Sequence, residues 1–137
     1  MAEFSEGVKI RAQIDGEVVK ALILANGGGA VAFLTLLPSL LDDHRTLAVW
    51  IVWGLLGFFW GLAFAILHNR FRRHCSLAYD IAWRQGGQPK PERLWGFQLK
   101  RPRVCGLSEV FMWLSVTGFG VGGTCGFIGG LVTVYGG

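Results

Sequence analysis

The stretch LAVWIVWGLLGFFWGLAFAIL, Leu47 to Leu67, contains no charged residue. At about 1.5 Å rise per residue it is long enough, as a helix, to cross the roughly 30 Å hydrocarbon core of a bilayer. Two further stretches share this property, Ala21 to Leu41 and Val110 to Tyr135. Three such runs do not fit one water-soluble core, which calls for helices or strands with polar faces. In lipid the backbone must satisfy its own hydrogen bonds, so each run is expected to be a helix.

The 137-residue composition agrees. Charged residues make up 16% and hydrophobic residues 52%, against about 25% charged for an ordinary soluble domain. Mean hydropathy is positive. The first run does not read as a cleaved signal peptide, which needs a short basic start. Twenty residues precede it, with Glu3, Glu6, Asp15 and Glu17 against Lys9, Arg11 and Lys20. The predicted fold is an all-α membrane protein with three transmembrane helices, a cytoplasmic extension of the second and a basic loop. Residues 1–20 are expected as a cytoplasmic N-terminal helix, followed by spans at 21–41, 47–67 and 110–135. Residues 68–109 form the loop, helical to about residue 85, where Gln85-Gly86-Gly87 offers a stop.

Charge sets the expected topology. Nine of the thirteen Lys and Arg residues fall between His68 and Glu109: Arg70, Arg72, Arg73, Arg84, Lys90, Arg93, Lys100, Arg101 and Arg103. The link Asp42 to Thr46 carries only Arg45 beside two aspartates. Basic residues near span ends stay on the cytoplasmic side, so the loop and N-terminus are expected inside and the C-terminus outside. The anionic inner leaflet accounts for this charge, and no nucleic-acid partner is expected. Arg70, Arg72, Arg73, Lys100, Arg101, Arg103 and Trp95 are the candidate contacts to lipid headgroups or a cytoplasmic partner.

The third run holds the clearest motif. Gly118, Gly122, Gly126 and Gly130 recur every four residues. A helix-interior glycine costs about 1 kcal/mol relative to alanine. In membranes close backbone contact can offset that cost. The partner could be the Ala21, Ala25, Gly29 row of the first run, a second copy, or another membrane protein. Gly57, Gly61 and Ala65 form a further small-residue row in the second run. Asn26, Thr117 and Thr124 are the intramembrane polar candidates. Asn26 is costly in lipid unless bonded, so it is expected to face a partner helix or to bend the chain locally. Beyond Leu67, the stripe Phe71, Cys75, Ala78 and Ala82 needs cover.

Catalytic signatures are not found in the sequence, and no enzyme activity or cofactor is expected. His68, His74, Cys75 and Cys105 could ligate a metal, but their spacing matches no common zinc site. The cysteines are expected as free thiols, because Cys75 and Cys105 fall in the loop placed in a reducing compartment.

The run Lys20-Ala-Leu-Ile-Leu-Ala-Asn-Gly-Gly-Gly-Ala-Val-Ala-Phe-Leu resembles the first span of uncharacterised small bacterial membrane proteins that share a Leu-x-x-Asn-Gly-Gly-Ala segment. The resemblance covers about the first third of the chain. It implies a bacterial inner membrane and no activity, and no functional residue is carried over. Three functions are therefore expected, in order. The first is an accessory or scaffold subunit acting by helix association, with itself or with a larger complex. The second is a homo-oligomeric pore or membrane-disrupting effector. The third is a small redox or metal-binding subunit.

Overall fold

A computed structural model gives three long helices: α1 (Ala2–Leu41), α2 (Arg45–Arg84) and α3 (Arg103–Tyr135). It describes residues 2–41, 44–87, 93–94, 97–98 and 102–135. All three helices are long and apolar enough to cross a membrane. The chain is an all-α protein with the architecture of a multi-pass membrane protein. Its outward faces support the same conclusion. Leu24, Trp53, Phe59, Trp60, Phe127 and Val134 are all exposed. A bundle in water would place charged side chains there, whereas hydrocarbon accepts these residues without cost.

The helices run antiparallel in sequence, and α2 is central. Its interface with α3 is the largest, that with α1 is next, and α1 touches α3 least. Helix α1 continues through Pro38 to Leu41. Thr35 and Ser39 donate their hydroxyls to the carbonyls of Ala32 and Leu36, each at 2.8 Å. These back-bonds satisfy polar groups that have no water to turn to. Helix α2 begins at Arg45, with the Ala48 N–H donating to the His44 carbonyl at 2.9 Å. Thr46 therefore lies inside the helix.

Helix α2 runs on to Arg84, well past the end of its apolar run. Gly86 adopts a φ of 75°, and the Gly87 N–H donates to the Ala82 carbonyl at 3.1 Å. That pairing closes the helix with a left-handed glycine. Gly86→Ala is expected to weaken this stop by about 1 kcal/mol, the cost of a Cβ in the left-handed region. Amide hydrogen exchange at Gly87 should accelerate accordingly, and unchanged exchange would show that the cap does not hold the helix end.

Two differences from the sequence expectation concern the loop. Helix α3 starts at Arg103, seven residues before the apolar run. Pro102 precedes it, and its carbonyl accepts from the Cys105 N–H at 3.0 Å. A proline has no N–H to lose at a helix start, so it marks the boundary and does not interrupt the helix. Before it, Arg93–Leu94 (β1) and Phe97–Gln98 (β2) pair antiparallel.

The second difference is a correction. Cys75 and Cys105 are not free thiols: they form a disulfide, with Cα atoms 5.1 Å apart. The antiparallel packing brings the α2 extension beside the first turn of α3, so two cysteines 30 residues apart meet. Cys125 remains free. Phe71 stacks on Phe111 with ring centroids 5.2 Å apart. The start of α3 thus covers the Phe71 and Cys75 part of the stripe.

Candidate helix-packing site

The bundle interior is organised in levels along the helix axes, and glycine sets the spacing at the middle ones. A Cβ on Gly118 would lie 2.7 Å from both Gly61 Cα and Gly61 N, and 2.8 Å from the Gly57 oxygen. A Cβ on Gly57 would lie 2.9 Å from Gly122 N. The main chains of α2 and α3 are therefore in direct contact, and only glycine permits it. The backbone partner of Gly118 and Gly122 is α2, not the Ala21, Ala25, Gly29 row of α1.

Aromatic rings fill the room that the glycines leave. Phe58, buried on α2, lies against Gly29 of α1 and Gly122 of α3. Phe33 of α1 meets Phe58 edge-on, centroids 5.2 Å apart, an arrangement the ring quadrupoles favour. Phe33 also lies against Gly54 and Gly126. Nearer the start of α2, Gly129 faces Trp50 and Leu47. Gly122, Gly126 and Gly129 of α3 thus each receive a bulky side chain from a facing helix. On another side of the α2–α3 pair, Thr46, Val49, Trp50, Trp53, Val121 and Cys125 line an apolar groove of about 580 Å³.

Asn26 is the polar centre of the bundle. It is fully buried, as is Ser115. Its Nδ2 donates to the Leu22 carbonyl at 3.0 Å and to Ser115 Oγ at 3.3 Å. This is a direct polar tie between α1 and α3, the pair with the least other contact. Its Oδ1 accepts no hydrogen bond and points at Gly61, where any Cβ would collide with it. A buried amide oxygen without a donor costs about 1–3 kcal/mol. Gly61 is therefore doubly constrained, by the α3 backbone on one side and by Asn26 on the other.

A second polar tie lies where the α2 extension meets the start of α3. His68 is buried on α2, and its Nδ1 sits 2.7 Å from the Ser108 carbonyl. A carbonyl can only accept, so Nδ1 carries the hydrogen. The Ser108 hydroxyl donates to the His68 carbonyl at 3.3 Å. His68 is thus held as a helix clamp. His74 is exposed, and the disulfide leaves Cys75 and Cys105 no thiolate to offer a metal in this state.

The remaining candidates are dispersed. Thr117 and Thr124 donate to the carbonyls of Leu114 and Gly120 in their own helix, at 2.9 and 2.7 Å, and face outward. Nothing lies within 4 Å of a Cβ placed on Gly130, so the last glycine of the four-residue row faces away from the bundle. Ala25 is half-buried, and Arg70, Arg73 and Arg103 are exposed, with Arg72 half-buried. Trp95, Lys100 and Arg101 lie outside the described residues.

Sequence reasoning did not single out Ser115, Ser108, Phe58 or Phe33. A lone serine in an apolar run carries no signal of its own, because it can bond its own helix. The aromatic pair had one available cue. Phe33 lies four residues after Gly29, and Phe58 sits beside Gly57, as knobs next to their own holes.

No family model, curated protein or solved structure matches this chain.

Proposed function

We propose that this chain is a non-catalytic membrane subunit that works by helix–helix association, as an accessory or scaffold part of a larger membrane complex. One observation carries the reading. Gly118, Gly122, Gly126 and Gly129 are occupied within the chain, yet other glycines are not. A Cβ on Gly120, Gly123 or Gly130 of α3, or on Gly27 or Gly28 of α1, would meet nothing within 4 Å. Each costs its helix about 1 kcal/mol relative to alanine, and no described residue of the chain lies close enough to offset that cost. A further helix laid against these faces would do so by close backbone contact. The basic inner loop, with Arg70, Arg72, Arg73 and Arg103, suits the anionic headgroups of a cytoplasmic leaflet. The setting we propose is a bacterial inner membrane, with the loop and N-terminus inside.

A pore built by self-association is the second reading. It receives less support, because Asn26 is buried inside the monomer and Thr117 and Thr124 are bonded to their own helix.

The packing decides which substitutions test association. Gly122→Leu drives a side chain into the Phe58 ring and Gly126→Leu into Phe33, so both report on the fold of the single chain. Gly120→Leu and Gly123→Leu leave the bundle intact. Association after extraction in mild detergent should fall in both outward variants, while the size and helicity of the chain itself stay unchanged. Wild-type association in both would remove the support that the open glycines provide.

A further inference from the structure

We infer that Cys75 and Cys105 form a reversible thiol–disulfide site, which fastens the inner extension of α2 to the start of α3 when oxidised and releases it when reduced. The inference rests on the topology proposed above, which puts this bond on the side of the basic loop. That compartment keeps thiols reduced, and disulfides there are usually transient and redox-sensing, not structural.

The two cysteines differ in ways that suit exchange. Cys75 lies mid-extension on α2 and is half-buried, so a small reagent reaches it first. Arg72 lies three residues before it, one turn away on the same helix. Nearby cations favour the thiolate, which is the reactive form. Cys105 is buried in the first turn of α3, with Arg103 two residues before it. A helix N-terminus also favours the thiolate there, making Cys105 the better leaving group when the bond is reduced.

The chemistry is exchange with a small-molecule disulfide. The Cys75 thiolate attacks one sulfur of that disulfide and expels the first small thiolate, giving a mixed disulfide. The Cys105 thiolate then attacks Cys75 Sγ and expels the second. Two protein thiols are oxidised and one small disulfide is reduced to two small thiols. Reduction by excess small thiol runs the same steps backwards.

The consequence is local. Between Leu67 and Arg84 the extension meets α3 through the Phe71–Phe111 stack, the His68–Ser108 tie and the disulfide. Beyond Cys75, Leu77 and Ile81 are exposed. Among the described residues, the disulfide is the last of these three attachments before the helix end, so its loss is expected to loosen the final two or three turns.

The test uses the full chain in its native membrane with Cys125→Ser as background. Cells are treated with a thiol oxidant, quenched in acid, and free thiols are counted by the mass shift of a polymer-tagged maleimide. Two shifts are expected in untreated cells, none after oxidant, and two again after washout. Trypsin cleavage at Arg84 in isolated membranes should be several-fold faster in the reduced form, and equally fast in Cys105→Ser whatever the treatment. Two shifts after oxidant, or none before it, would overturn the inference. A reporter inserted at Gly87 separates the causes. A permanently bonded pair with Gly87 inside defeats the exchange site alone, whereas one with Gly87 outside defeats the topology as well.

Discussion

Gly118→Ala is expected to destabilise the folded bundle by roughly 1–3 kcal/mol, the usual cost of forcing extra atoms into a packed interior. The reason is the nature of the neighbour. The added Cβ would meet Gly61 Cα and N at 2.7 Å and the Gly57 oxygen at 2.8 Å. These are main-chain atoms of α2, which cannot rotate away as a side chain can. Relief requires α2 and α3 to separate, and separation also loosens the Phe58 contact one level nearer the start of α2. Gly123→Ala is the matched control. It lies in the same helix five residues on, with nothing within 4 Å of its Cβ. There the change should be neutral or stabilising by up to about 1 kcal/mol through helix propensity. Unfolding of both variants in mixed micelles, titrated with a denaturing detergent, gives the comparison. Equal effects at the two positions would mean that α2 and α3 do not meet at this level.

The second large effect is a coupling. Gly61→Ala alone should cost a similar amount, because its Cβ collides with the Asn26 amide. Asn26→Ala alone removes the tie to Ser115, and an interhelical hydrogen bond in a membrane is worth on average about 0.6 kcal/mol, at most about 1.7. It also leaves a small cavity at a fully buried position. In the double variant the methyl group added at Gly61 occupies space the amide has vacated. The combined cost should therefore fall below the sum of the two, by an interaction energy of about 0.5–3 kcal/mol. Strict additivity would show that Asn26 and Gly61 are not in contact. The same cycle asks whether the unsatisfied Oδ1 matters, since Asn26→Ala removes that buried acceptor together with the amide's donor.

These effects bear on what the amino-acid sequence makes legible. The three apolar runs are a property of composition, and lipid imposes one solution on each, so the helices could be read directly. The Gly86 stop was legible for a similar reason, since glycine alone enters the left-handed region freely. The four-residue glycine row was legible as a period but not as a contact. A smooth face says that something approaches closely, while the choice between α1, α2 and a second chain depends on how each helix is rotated in the bundle. The structure gives Gly118 and Gly122 to α2 and leaves Gly130 open. Asn26 could be read as needing a partner, but Ser115 could not be named, because its hydroxyl looks like any other serine in a helix. The meeting of Cys75 and Cys105 was not legible for a physical reason. A reducing compartment argues for thiols on average, and the meeting of α2's extension with α3's first turn depends on where α3 begins. Pro102 marks that beginning.

The most direct test of the central claim is the side of the membrane on which the two inter-helix segments lie. Side-specific reporters inserted at His44 and at Gly87 measure it in living cells. Three membrane crossings place these sites on opposite sides, the topology we propose puts Gly87 on the cytoplasmic one, and the chain should remain in the membrane after alkaline washing. Both reporters on one side, or a chain recovered folded and monodisperse in detergent-free buffer, would contradict it.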